Sequence, residues 1–203
     1  NLIQISEKIK ECGADLGIVV DPDVDRLALV CENGEMFVEE YTLVAVADYV
    51  LKHTPGNTVS NLSSSRALRD VTLAHGQQYN AAAVGEVNVV TKMKETNTVI
   101  GGEGNGGVIY PESHYGRDAL VGVGLFLSHF VAEGKSMTVL KATYPQYFIS
   151  KNKLTLSPDM DVDKILEGLK KKYASEEITD IDGVKIDFKD GWVHLRKSNT
   201  EPI

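Results

Sequence analysis

Three aspartates alternate in a short acidic segment, Asp21, Asp23 and Asp25, and Arg26 follows directly. Three like charges within so few residues repel one another unless something neutralises them. If the segment curls round one cation, all three carboxylates can converge on it, and such hard oxygen ligands suit Mg²⁺, Ca²⁺ or Mn²⁺ better than zinc. We therefore predict a divalent metal site at these aspartates, with a solvated acidic turn as the alternative.

The same segment matches part of an EF-hand loop, since the three aspartates and Glu32 occupy its positions 1, 3, 5 and 12. Position 6 of that loop requires glycine and is Arg26 here, and strand-like apolar runs flank the segment where an EF-hand has helices. These mismatches exclude the EF-hand. We predict that Arg26 faces a phosphate shared with the cation, because its planar fork matches phosphate oxygens. The alternative is an arginine that pairs only with a neighbouring aspartate.

Five glycines occur within the seven residues from Gly101 to Gly107. This stretch follows a predicted strand but lacks the Gly-Lys-Ser/Thr ending of a P-loop. Glu103 offers acceptors and Asn105 offers both donors and acceptors, which suits the hydroxyls of a sugar better than an anionic phosphate. We predict a sugar-reading loop, and a flexible surface turn is the alternative.

A polar segment just past the last predicted strand combines two cations with small hydroxyl and amide groups. Its candidate phosphate ligands are Arg196, Ser198, Asn199 and Thr200. This set of donors suits a phosphate that is held rather than cleaved, although an ordinary polar loop would look similar. Ser63–Arg66, at a predicted helix start, is either an anion site or an N-cap. His114 and Arg117 are further residues that could reach a substrate.

Helical and strand patterns alternate from about residue 40 onwards. Helices are predicted over 41–53, 66–75, 87–95 and 118–132, and strands over 58–62, 79–84 and 98–100. Such alternation is typical of a parallel α/β sheet. Near 145–150 the pattern changes to a strand over 148–156, an amphipathic helix over 162–173 and an antiparallel hairpin from 184 to 195. The predicted fold class is α/β, with a mixed parallel-sheet domain followed by a smaller α+β domain.

The composition is that of an ordinary globular protein, with 42% hydrophobic and 25% charged residues among 203. A net charge of −8 without a dense basic patch disfavours nucleic-acid binding. No apolar run reaches the length of a membrane span, so no membrane partner is expected. Two cysteines are too few for a disulfide framework, and a cytoplasmic location is the expectation.

Three motifs now occur together and in order. The segment DPDVDR resembles the metal loop of the α-D-phosphohexomutases, GEGNGG resembles their sugar-recognition loop, and RKSNTEP resembles the phosphate-binding loop of their fourth domain. The sequence of the stretch GEGNGGVIYPESHYGRDAL is most similar to that of phosphoglucosamine mutase and phosphomannomutase-type members. The resemblance covers essentially the whole chain, and it implies a phosphoglucomutase-like domain 3 followed by a smaller domain.

The resemblance also implies a domain organisation. Residues 1–38 would be the C-terminal part of domain 2 with the metal loop, 39–146 the sugar-binding domain 3, and 147–203 an incomplete, phosphate-binding domain 4. Domain 1, which carries the phosphorylated serine in this family, has no counterpart among these residues. We therefore expect a piece of a longer protein, with the missing N-terminal domain of the same protein as a partner and no mutase activity alone.

The implied function is interconversion of a hexose 1-phosphate and a hexose 6-phosphate through a phosphoserine and a bisphosphate intermediate. Asp21, Asp23 and Asp25 would hold Mg²⁺, and Arg26 would assist the transfer. Glu103 and Asn105 would read the sugar, and the residues of the terminal segment would anchor the unreactive phosphate. Departures from common family spellings at Glu86, Asn105 and Gly107 leave the sugar open among glucosamine, mannose and glucose. A non-catalytic sugar-phosphate-binding module and a Ca²⁺-binding structural domain are the alternatives.

Overall fold

The computed structural model describes residues 2–155 and 160–197. The chain divides into two compact units, Asn1–Phe148 and Ile149–Ile203. This division falls where the sequence pattern changes, near 145–150. The boundary that the family resemblance places at residue 38 lies inside the first unit.

The first unit contains six helices and six strands among its described residues. The helices are α1 (Ile3–Cys12), α2 (Glu39–His53), α3 (Ala67–Ala74), α4 (Glu86–Glu95), α5 (Ala119–Glu133) and α6 (Met137–Ala142). The strands are β1 (Leu16–Val20), β2 (Leu27–Cys31), β3 (Asn57–Asn61), β4 (Tyr79–Ala82), β5 (Thr98–Glu103) and β6 (Gly107–Ile109).

The acidic segment connects the two strands of an antiparallel hairpin, in which Val20 lies opposite Leu27. Strand β2 is the anchored half, because Leu27, Leu29 and Cys31 are buried in the main hydrophobic core. Complete burial of an aliphatic side chain contributes roughly 1.5–3 kcal/mol, so these residues hold one end of the acidic segment firmly.

A four-stranded sheet forms the centre of the unit, with the order β4-β3-β5-β6. Strand β3 pairs in parallel with β4 and β5, and β6 returns antiparallel beside β5. The predicted α/β class with a mixed sheet is therefore confirmed. Helix α5 begins where Asp118 accepts a hydrogen bond from the amide of Val121 at 3.0 Å, and it packs Phe126 edge-on against Phe37 with 5.4 Å between ring centroids.

One predicted boundary in this sheet is wrong. Strand β5 does not end at Ile100 but continues to Glu103, because Gly101 and Gly102 pair with β3 on one side and with β6 on the other. The predicted loop Gly101–Gly107 therefore shortens to a tight turn of residues 104–106. Glu103 is consequently a strand residue with a fixed backbone rather than part of a loose loop.

The second unit is an α+β arrangement in its described residues. Helix α7 (Val162–Lys172) is followed by strands β7 (Glu177–Thr179), β8 (Val184–Asp187) and β9 (Trp192–Leu195), which form an antiparallel sheet in that order. The predicted strand over 148–156 is wrong, since its described residues 148–155 pair with no other strand and Phe148 is fully exposed. Alternating polarity alone does not make a strand without a partner for its hydrogen bonds.

Membrane insertion finds no support among the described residues, where every helix is too short or too polar to cross a bilayer.

Candidate active site

The three aspartates of the acidic segment converge. Carboxylate oxygens of Asp21, Asp23 and Asp25 all lie within 4.8 Å of one another. One oxygen of Asp21 accepts hydrogen bonds from the amides of Asp25 and Arg26, at 3.1 and 3.0 Å, which curls the segment back on itself. Val24, which lies between Asp23 and Asp25 in the chain, adopts φ 57°, an uncommon conformation for a β-branched residue. The predicted metal ligands are thus brought to one point.

Arg26 borders this cluster with a half-exposed side chain. Its Nε lies 2.6 Å from Asp21 and 3.4 Å from Asp25, so both contacts use the same nitrogen. The terminal nitrogens, which form the fork that matches phosphate oxygens, are not engaged by these two contacts. Pairing with neighbouring aspartates and facing a phosphate are therefore compatible roles for Arg26.

The pKa values of Asp21 and Asp25 reflect the close approach of three carboxylates. Although desolvation opposes the change, hydrogen bonds from the backbone and side chain of Arg26 lower the pKa of Asp21 to about 2. Desolvation and the hydrogen bond with Asp21 raise the pKa of Asp25, against the lowering effect of Arg117. The negative charges of Asp21 and Asp23 also raise the pKa of Asp25, so the three carboxylates repel one another.

Glu103 is buried and held by several donors. One of its oxygens accepts from Asn61 at 2.8 Å and from the amide of Gly85 at 3.2 Å, and the other is 3.2 Å from Arg117 and 3.5 Å from Asn105. The Asn105 oxygen in turn accepts the amide of Gly107 at 3.1 Å. These contacts fix the direction of the carboxylate, as a group that reads a ligand requires.

Backbone hydrogen bonds join the acidic segment and the start of β2 to the 104–106 turn and to the start of helix α5. The amide of Leu27 donates to the carbonyl of Gly106 at 3.0 Å, and the amide of Ala119 donates to the carbonyl of Val24 at 3.1 Å. The approach is close, because a Cβ on Gly106 would lie 2.3 Å from the Leu27 oxygen. The predicted metal ligands and the predicted sugar-reading residues thus form one site in the first unit.

Arg117 completes the connection. Its guanidinium contacts Asp25 through one nitrogen, lies 3.2 Å from Glu103 through a second and lies 3.2 Å from Glu86 through a third. The sequence marked Arg117 only as able to reach a substrate, and its three acidic partners were not predicted. Asn61 was missed as a site residue, because no local pattern links it to the others, and Glu86 was noted only as a departure from the family spelling.

Two other candidates have local roles. His114 lies 3.0 Å from the capping aspartate Asp118 and is half exposed. In the serine-rich segment the amide of Ser65 already donates to the Glu40 carboxylate at 2.9 Å, so a side chain supplies an anion at that helix start. The N-cap interpretation of Ser63–Arg66 is not supported at the position that precedes α3 either, because Arg66 there forms no side-chain capping hydrogen bond.

The predicted phosphate anchor belongs to the second unit. The guanidinium of Arg196 donates to the carbonyl of Lys197 at 3.2 Å, and Lys197 pairs with Asp163 at 2.8 Å. Ser198, Asn199 and Thr200 lie outside the described residues. Their role as phosphate ligands stays a prediction.

Comparison with known proteins gives the site its context. The family description "Phosphoglucomutase/phosphomannomutase, alpha/beta/alpha domain III" matches residues 39–147, and the C-terminal domain of the same family matches residues 153–203. The chain belongs to the phosphoglucomutase/phosphomannomutase family. The predicted resemblance is thereby confirmed.

Relatives of this chain are phosphohexomutases. A phosphoglucomutase/phosphomannomutase from Thermococcus kodakarensis is 36% identical over 100% of this chain and 45% of its own length. A phosphoglucosamine/phosphogalactosamine mutase from Sulfurisphaera tokodaii is 30% identical over 100% of this chain and 46% of its own length. The crystal structure of a phosphoglucomutase/phosphomannomutase family protein from Burkholderia thailandensis is 27% identical with a TM-score of 0.84, over 100% of this chain and 44% of that one. The chain thus spans less than half the length of these phosphomutase-family relatives.

Proposed function

We propose that this chain is the metal-binding, sugar-reading and phosphate-anchoring part of a phosphohexomutase that interconverts a hexose 1-phosphate and a hexose 6-phosphate. The observation that carries the proposal is the convergence of the three aspartates, which Arg117 joins to Glu103, in a chain of this family. The transfer would run through a phosphoserine supplied by residues outside this sequence and through a sugar bisphosphate. Glucose, mannose and glucosamine phosphates are the substrate class.

The residues of the site fit a divalent cation. The charge network of the site comprises the ion pairs that Arg26 and Arg117 form with Asp21, Asp25, Glu86 and Glu103, together with the neighbouring carboxylate of Asp23. Five carboxylates against two guanidinium groups leave three negative charges in excess, which a bound cation would offset. All the donors are hard oxygens, which favours Mg²⁺. When bound, Mg²⁺ would neutralise charge on the phosphoryl group that is transferred.

Other residues of the chain would contact the transferring phosphoryl group, the sugar and the unreactive phosphate. Arg26 would direct its terminal nitrogens at the transferring phosphoryl group, and Glu103 and Asn105 would accept from and donate to the sugar hydroxyls. The terminal segment, Arg196, Ser198, Asn199 and Thr200, would hold the phosphate that does not react. A fixed anchor at one end of the sugar positions the other end for transfer, and such positioning supplies a large part of the catalytic effect.

The test is mutase activity of the complete protein that contains this chain. It should convert at least one of the three hexose 1-phosphates when a hexose bisphosphate and Mg²⁺ are present, and Asp23→Ala should reduce kcat by roughly a hundredfold or more. Asp15→Ala, an exposed aspartate outside the site, is the matched control and should leave kcat unchanged. Unchanged turnover and Mg²⁺ dependence in Asp23→Ala would contradict the assigned role.

The 203-residue chain alone should bind hexose phosphates without turning them over, because the transfer needs a serine that these residues do not provide. The alternative function, a non-catalytic sugar-phosphate-binding module, predicts binding without turnover in the complete protein as well. Steady-state assays of both forms on the same substrates therefore separate the two proposals.

A further inference from the structure

The absence of a side chain at Gly107 leaves room for the side chain of Arg117. A Cβ at this position would lie 2.4 Å from Cδ and 3.1 Å from Cγ of Arg117. The backbone of Gly107 pairs with Glu103 in antiparallel register and is not among the positive-φ positions, so its conformation does not require glycine. Glycine is required here because Cγ and Cδ of Arg117, the stem of that side chain, occupy the space that a Cβ would need.

The backbone of Arg117 is fixed on the other side. Arg117 forms an isolated antiparallel bridge with Ile109, and its amide donates to Glu86 at 3.1 Å. The next residue, Asp118, caps helix α5. The guanidinium therefore projects from a rigid base, with a side chain only 21% exposed, into the space between the acidic segment and Glu103.

We propose that Arg117 is a positioning residue that couples the occupancy of the metal site to the orientation of Glu103, and that Gly107 is the residue that admits it. The inference rests on the proposed function for its catalytic consequence. One guanidinium shares its charge between Asp25 on the acidic segment and Glu103 in the sugar-reading turn. A cation on Asp25 competes with Arg117 for that carboxylate, so the pairing of Arg117 moves towards Glu103 and Glu86. By reciprocity, a ligand that strengthens the pairing of Arg117 with Glu103 tightens cation binding.

The first test is Mn²⁺ binding to the 203-residue chain by calorimetry. Arg117→Met removes a positive charge that competes for Asp25, so Mn²⁺ should bind roughly fivefold more tightly or better. A residue that merely supports the fold would have the opposite effect, because its loss would scatter the ligands. Arg69→Met, which removes an arginine paired with Asp70 on helix α3, should leave Mn²⁺ affinity unchanged. Weaker or unchanged Mn²⁺ binding by Arg117→Met would overturn the proposal.

The second test is a double-mutant cycle between Gly107 and Arg117. Gly107→Ala should displace the Arg117 stem and tighten Mn²⁺ binding in the same direction as Arg117→Met. In an Arg117→Ala background both of the Arg117 atoms that a Cβ on Gly107 would meet are gone, so Gly107→Ala should have no further effect. An equal effect of Gly107→Ala on Mn²⁺ affinity in both backgrounds would show that Gly107 acts independently of Arg117.

The third test uses the complete protein with a hexose 1-phosphate. Arg117→Met should bind Mn²⁺ more tightly and yet show a lower kcat/KM, since Glu103 loses its one guanidinium contact among the described residues. Arg117→Lys keeps the charge but not the planar fork, so Mn²⁺ affinity should return towards wild type while kcat/KM stays low. Full activity in Arg117→Met would refute the positioning role. If the wild-type complete protein has no mutase activity, the proposed function fails, whereas the Mn²⁺ series still decides the coupling.

Discussion

Two groups of side chains in the first unit have the residue types and the spacing of a metal site. One is the acidic segment with its three aspartates. The other joins Asp48 on α2 to His129 and Glu133 on α5, and its ligand atoms also lie within 4.8 Å of one another. In the second group the ammonium of Lys52 lies 3.0 Å from Asp48 and 2.7 Å from Glu133. A side chain of the protein already occupies the place between these carboxylates.

The charge balance separates the two groups. The two carboxylates of the helical group meet two ammonium groups, those of Lys52 and Lys135, so their charges cancel. The network around the acidic segment keeps three excess negative charges after both arginines are counted. Converging ligands are therefore insufficient evidence for a metal site. We propose that an uncompensated charge at the point of convergence is the discriminating feature.

The two groups also differ in backbone conformation, which is regular in the helical group and strained in the acidic segment. Asp48 and Lys52 lie four residues apart on one helix, as do His129 and Glu133 on the other, so regular geometry suffices to place them. The acidic segment needs the left-handed conformation of Val24, which costs of the order of 1–2 kcal/mol for a residue with a side chain. Strain that persists in a tightly hydrogen-bonded loop is typical of functional sites.

The largest expected effect tests which group binds a cation. The 203-residue chain should bind one Mn²⁺, and Asp23→Ala should weaken binding by roughly a hundredfold, because the remaining groups no longer surround the ion. Asp48→Asn, the matched change in the helical group, should leave the affinity unchanged. Electron paramagnetic resonance titration of free Mn²⁺ gives both numbers. Loss of binding in Asp48→Asn with retention in Asp23→Ala would reverse the comparison.

The second prediction converts the helical group into a cation site. Lys52→Ala leaves Asp48 and Glu133 without their shared ammonium, and it should lower the free energy of unfolding by about 1–2 kcal/mol, less than for a fully buried pair because Lys52 is 40% exposed. In an Asp23→Ala background, millimolar Mn²⁺ should restore part of that stability. Thermal melts with and without Mn²⁺ measure it.

A surface lysine provides the control for this experiment. Lys92→Ala removes a comparable exposed pair with Glu95 on α4 and should change stability by about 0.5 kcal/mol or less. No stabilisation of Lys52→Ala by Mn²⁺ beyond that of Lys92→Ala would mean that excess charge is not the discriminating feature.

The sequence predicted the elements better than the way they meet. The spacing of Asp21, Asp23 and Asp25 and the helical periods of α2 and α5 are local signals, and the structure has each of them. The extension of β5 through Gly101 and Gly102 was missed because glycine looks like a turn residue until pairing on both sides constrains it. The strand predicted over 148–156 failed for the opposite reason, since its pattern has no partner among the described residues.

The site shows the same limit. Asp25, Glu86, Glu103 and Arg117 come from four separate segments, and tertiary contacts bring them together. The identity of Arg117's partners is a property of the folded chain, which no window of sequence contains. Likewise, no local sequence pattern predicts the ion pair between Lys52 and Glu133, because these residues are on different helices.

The smallest expected effect tests the balanced charges of the helical group through pH. Hydrogen bonds from Lys135 and Lys52 lower the pKa of Glu133 from 4.5 to about 2. Because the folded-state pKa lies below the unfolded one, the stabilisation is complete above about pH 4.5 and is lost as the pH falls towards 2. Glu133→Gln should therefore be less stable than wild type by about 1 kcal/mol near neutrality, after allowance for the partial exposure of the side chain, and the gap should narrow between about pH 5 and pH 3.

Urea unfolding followed by circular dichroism at several pH values measures that gap. Glu7→Gln, at an exposed position on helix α1, is the control and should differ from wild type by a constant amount over the same range. A gap for Glu133→Gln that stays constant down to about pH 3 would show that Lys52 and Lys135 do not hold this carboxylate. The two lysines would then not distinguish the helical group from the acidic segment.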